Sequence, residues 1–132
     1  MDITLRLIHP KDFIIAKPDG ILDLEKSRAL LKKIAEESEG RKDFHILLDF
    51  RKTIVELSTV DIWELSNGLS EYGTTFKRKT AILVREDENF DKVEFFELCT
   101  LNRGFAIYPF IDFEEAIMWL LLENNDSKNE ST

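Results

Sequence analysis

The run Phe44-His45-Ile46-Leu47-Leu48-Asp49-Phe50 puts large apolar side chains at nearly every position. A strand with one wet face alternates apolar and polar residues, so an almost unbroken run asks for cover on both faces. Thr80 to Val84 (TAILV) and Phe105 to Phe110 (FAIYPF) are further short strands, and segments of helical period stand between the three. Strands separated by helices of about ten or more residues join through right-handed crossovers, so these three are expected to run parallel in one sheet. Pro109 offers no N–H and places the last strand at an edge or at its own end.

The remaining chain completes this pattern. Ile3 to His9 alternates like a half-buried strand, His9-Pro10-Lys11-Asp12 signals a turn, and Phe13-Ile14-Ile15-Ala16 resumes β-type residues, so an antiparallel opening hairpin is expected. After the turn Pro18-Asp19-Gly20, Asp23 can cap a first helix of about sixteen residues ending near Gly40, with Leu24, Leu31, Ile34 and Ala35 on one face. Ser58-Thr59-Val60-Asp61 opens a second helix reaching about Tyr72, whose core side is Ile62, Leu65, Leu69 and Tyr72. A third helix is expected from Asp91 to Arg103, ended by Gly104, and Asp112 caps a fourth carrying Phe113, Ala116, Ile117, Leu120 and Leu121. The expected fold is a single two-layer α/β domain over residues 1–123, with a mixed five-stranded sheet in the order ββαβαβαβα. Residues 124–132 form a polar tail expected to fray.

Several chemistries find no support. The chain has 132 residues, 43% of them hydrophobic, enough for a core without staples. Its net charge of −8 argues against nucleic-acid binding, which needs a basic surface. No apolar run approaches a membrane span and Met1 to Thr4 does not start a signal peptide, so a cytoplasmic location is expected. The glycines form neither a phosphate-cradling loop nor a nucleophile elbow. His9, His45 and the single Cys99 show no metal-ligand spacing, and Cys99 is expected as a buried, inert thiol. Asp87-Glu88-Asn89-Phe90-Asp91 begins like a calcium loop, but Lys92 stands where glycine is needed and Leu98 where a bidentate Glu is needed. The stretch is therefore read as a solvated loop and helix start. Neither catalytic residues nor a metal or cofactor is expected.

The C-terminal third carries a family likeness. Phe90 to Gly104 leads into Phe105-Ala106-Ile107-Tyr108-Pro109-Phe110 and then Asp112-Phe113-Glu114-Glu115-Ala116-Ile117-Met118-Trp119-Leu120. With Leu47-Leu48-Asp49-Phe50 and the helix opening at Ser58, this resembles the small bacterial SpoIIAA-like proteins of the STAS and SEC14 (CRAL-TRIO) superfamily. The resemblance implies a non-enzymatic regulatory module, like STAS-type anti-sigma factor antagonists, that binds a protein partner through its second helix. That partner would be a regulator or a kinase-like protein, with a homodimer as another option. In such antagonists a kinase phosphorylates a serine at the start of the second helix. Ser58 and Thr59 match that hydroxyl pair, whereas Leu57 stands where the aspartate is expected and the following glycine is missing. The SEC14 connection implies an alternative, a carrier of a lipid or small apolar ligand. The third helix allows it, since Phe90, Val93, Phe95, Phe96, Leu98, Cys99 and Leu101 point all round the axis, a pattern equally met by burial or a dimer interface.

Two local readings stay open on the sequence. Ser58-x-x-Asp61 is a capping box with Asp in place of Glu, so Ser58 either caps the helix alone or is also a phospho-acceptor. At 100° per residue, Trp63 lies roughly 140° from the middle of the core arc, near Val60 and Asn67. Either these three form a partner surface, or a neighbouring loop covers the tryptophan.

Overall fold

The computed structural model describes residues 5–6, 12–41 and 44–122. Five strands, β1 (Leu5–Arg6), β2 (Asp12–Ala16), β4 (Phe44–Asp49), β6 (Thr80–Leu83) and β7 (Ile107–Phe110), form one sheet in the order β1-β2-β4-β6-β7. β2, β4, β6 and β7 are parallel, with Ile46 opposite Ile14 on one side and Thr80 on the other. β1 lies antiparallel to β2, Leu5 opposite Ala16; the connection between them, with His9, and the tail 124–132 fall outside the described residues.

The Phe44 run is central, as its composition requires. Alternation splits its side chains between two cores. Phe44, Ile46 and Leu48 join Ile14, Ile82 and Ile107 beneath α1 (Leu24–Ser38), α2 (Thr59–Gly68) and α3 (Glu88–Leu101). Leu47 joins Phe13, Ile15, Ala81 and Leu83 on the opposite face, where Ala116 and Leu120 of α4 (Phe113–Leu121) pack. The two-layer expectation thus holds for α1 to α3, while α4 adds a partial third layer. Its position follows from the apolar second face of β4 and β6, which needs cover. Trp119 stacks on Tyr108 at 4.8 Å, and Lys79 Nζ donates to the carbonyls of Trp119 and Leu122, tying down the C-terminal end of α4.

Four details depart from the sequence reading. Two short strands, β3 (Gly20–Leu22) and β5 (Thr53–Val55), pair in parallel as a separate sheet. α2 ends at Gly68 and tightens into a 3-10 turn over Leu69–Tyr72. α3 starts at Glu88, because the Asp87 carboxylate accepts the Asn89 N–H at 2.8 Å and caps the helix ahead of Asp91. Cys99 is half-buried, and Leu98 and Leu101 are exposed, so α3 is not covered all round. Elsewhere the caps fall where expected: Asp23 accepts from Lys26 N at 2.9 Å, and Gly104 takes φ +83° just beyond α3.

Candidate partner-binding site

α2 is held at its N-terminus by two reciprocal hydrogen bonds. Ser58 Oγ accepts the Asp61 N–H at 3.1 Å, and Asp61 Oδ2 accepts the Ser58 N–H at 3.0 Å. Both partners are local, so the box forms from the sequence Ser58-x-x-Asp61 alone. Ser58 and Thr59 are exposed.

The segment that delivers Ser58 is pinned from a distance. Asn89, only 3% exposed, accepts the Val55 N–H at 3.1 Å and donates to the Thr53 carbonyl at 2.8 Å. Its carboxamide thus serves the outer edge of β5 as a neighbouring strand would. Lys92 Nζ adds a bond to the Val55 carbonyl at 2.7 Å, and Arg85 donates to the carbonyls of Arg51 and Thr53. Asn89 is a residue that sequence reasoning missed as a fixing point. Its place inside an acidic stretch read as loop hid that role, although Asp87 two residues earlier is a standard cap signal.

Behind this loop Asp49, 8% exposed, takes Arg51 in a two-point contact at 3.0 and 2.8 Å. Burial pushes the Asp49 carboxyl up, but the side-chain and backbone hydrogen bonds from Arg51, with the charges of Arg51 and Lys17, outweigh it and hold the group below the usual carboxylate range. The Asn89 N–H and Arg85 likewise lower Asp87. These charges are mutually engaged and organise the loop. Among the described residues, no group of three or more His, Cys, Asp or Glu could hold a metal ion.

The helix so fixed presents an unusual outer side. Trp63 is 50% exposed and Val60 63%, while Ile62 and Leu65 are buried beneath them. The flanks are identifiable. Glu64 reaches Arg28 of α1 at 3.1 Å, whereas Asn67 Oδ1 accepts from Arg103 just past the end of α3. Trp63 stands one turn before Asn67 and so borders the seam between α2 and α3. Asn67 is exposed but engaged through its amide oxygen. The structure therefore brings Val60, Trp63 and Asn67 onto one surface, with Ser58 and Thr59 at its N-terminal end.

Below α1, α2 and α3 lies a cavity of about 60 Å³ whose wall includes Leu30, Leu48, Phe50, Val93 and Phe96. Ser27 Oγ, also on that wall, is buried with no hydrogen-bond partner. Sites for drug-sized ligands run to roughly 300–1,000 Å³, so this space does not hold a lipid as it stands. No helix among the described residues is long and apolar enough to cross a membrane.

No family model and no curated protein matches the sequence. Solved structures do match. One is an uncharacterized protein of the DUF3478 family with a SpoIIAA-like fold from Shewanella loihica PV-4, at TM-score 0.61 and 22% identity, over 90% of this chain and 92% of that one. Another is the anti-sigma factor antagonist SpoIIAA in its unphosphorylated form, at TM-score 0.55 and 13% identity, over 89% of this chain and 94% of that one. At these identities the likeness speaks for the backbone, and it agrees with the parallel β2-β4-β6-β7 core and its helices. The chain has a SpoIIAA-like α/β fold.

Proposed function

We propose that this chain is a non-enzymatic regulatory module of the cytoplasm that binds a protein partner through α2, in the manner of a STAS-type antagonist. The observation that carries the reading is Trp63, half open to solvent beside Val60 on a helix that opens with a capping box and follows a strand pinned by Asn89. A large aromatic on a pre-ordered surface is the residue type that dominates binding interfaces, because it contributes wide contact area at small entropic cost. The structural neighbour named as an anti-sigma factor antagonist supports the same class of role.

Ser58 and Thr59 are the candidate switch. A phosphate on Ser58 would meet the N-terminal N–H groups of α2 favourably but lie beside the Asp61 carboxylate that completes the box. Modification would thus recast the helix start next to Val60. The test is quantitative partner recovery from the native organism with wild-type and Trp63→Ala baits. Loss of about 2 kcal/mol of binding at an unchanged melting temperature is expected for an aromatic anchor. Equal recovery by the two baits, or unfolding of the variant, would remove Trp63 from the interface.

A further inference from the structure

The exposed apolar side of α2 continues across the seam onto α3. Core-facing residues of α3 are Asn89, Val93 and Thr100, all buried. Leu98 lies five residues from Val93, about 140° round the helix, and is 60% exposed. Phe95, half-buried, lies between Leu98 and the flank from which Lys92 and Arg103 reach toward α2 and its approach. Val60 and Trp63 on one helix and Phe95 and Leu98 on the other therefore lie on the open sides of two packed helices, apolar on either side of the seam.

The charges around these residues are mostly negative. α2 and α3 together carry six carboxylates (Asp61, Glu64, Glu88, Asp91, Glu94 and Glu97) and one lysine. Asp91 and Glu94 share the outward stripe of Leu98 by the three- and four-residue spacing, are exposed, and make no ion pair among the described residues. The nearby cations keep their charge but are turned to the flank facing α2 and its approach, Lys92 donating to the Val55 carbonyl and Arg103 to the Cys99 carbonyl and Asn67. A second copy docking by this face would bring carboxylates toward carboxylates, which costs binding energy.

We infer that the α2–α3 face receives a cationic amphipathic segment of a partner protein, its apolar side on Trp63 and Leu98 and its Lys or Arg side chains over Asp91 and Glu94. The inference rests on the reading of α2 as the partner surface and names the chemistry of that partner. A helix laid on this face would present anchors at three- and four-residue spacing, flanked by positive charge.

The experiment is an NMR titration of the full chain with a Leu/Lys amphipathic peptide of about fourteen residues, long enough to fold on the surface, and with its Leu/Glu counterpart. At physiological salt, amide shifts are expected at Val60, Trp63, Asn67, Phe95 and Leu98 with the Leu/Lys peptide and none with Leu/Glu. The double variant Asp91→Asn, Glu94→Gln should weaken the Leu/Lys peptide about fivefold and reduce its salt dependence. Equal binding of both peptides, shifts confined to α4, or sedimentation showing a dimer through α2 and α3 would overturn the inference. The native partner separates the two levels of the claim. If Trp63→Ala weakens it and the charge variant does not, the cationic segment is refuted and the α2 surface stands. If neither variant weakens it, both are refuted.

Discussion

At Ser58 the hydroxyl caps α2, and the proposed switch would be a second job separable from it. In the unmodified chain it accepts the Asp61 N–H, and loss of such a cap costs about 1 kcal/mol, so Ser58→Ala should lower the unfolding midpoint modestly while Ser58→Asp retains most of it. Partner affinity, measured on the same two variants, distinguishes a cap from a switch. Unchanged affinity in both would leave Ser58 a cap only. Asp49 gives a second test at this scale. Its folded-state pKa is lowered, so its contribution to stability is complete above the unfolded value of about 4 and is lost as pH falls through the folded value. Asp49→Asn should therefore flatten the acid limb of a stability-against-pH curve, and an unchanged limb would show that Arg51 does not hold the carboxylate in solution. Glu97 runs the other way: burial and then Glu94 raise its pKa, so Glu97→Gln should be neutral or slightly stabilising near neutral pH.

At the scale of elements, the loop from β4 to α2 depends on Asn89 more than on its own residues. Asn89→Ala would strip partners from the buried Val55 N–H and leave Thr53 with only its weaker bond to Arg85, a loss of about 2–4 kcal/mol by the cost of orphaned backbone groups. Hydrogen exchange should accelerate at Val55 and at the first turn of α2, with the central strands unaffected; uniform acceleration would assign Asn89 to the global core instead. What could be read from the sequence follows the same division. The long periodic elements were legible: the Phe44 run, the core arc of α2, and the caps Asp23, Ser58 and Asp112 all show their roles in local spacing. β3 and β5 were not, because three residues give no measurable period and their pairing is completed by a side chain from residue 89. The outward turn of Trp63 was legible from the helical period, whereas the Asn67–Arg103 bond and the continuation onto Leu98 depend on which helices become neighbours.

At the scale of the molecule, the fold separates a rigid interior from a surface that can be varied. The parallel strands β2, β4 and β6 are buried on both faces, with β7 half-buried at the edge, so the sheet is fixed by packing and α2 and α3 are carried on it as a platform. Burial and polar satisfaction account for nearly all side chains beneath that platform, and Trp63, Val60 and Leu98 above it remain outside the core. Hydrogen–deuterium exchange on the native complex, compared with the free chain, tests this division most directly. Protection gained on binding is expected within Thr59–Gly68 and Glu88–Leu101, with α4 unchanged. Protection that instead appears on Phe113–Leu121, with α2 exchanging as in the free protein, would contradict a partner surface on the second helix.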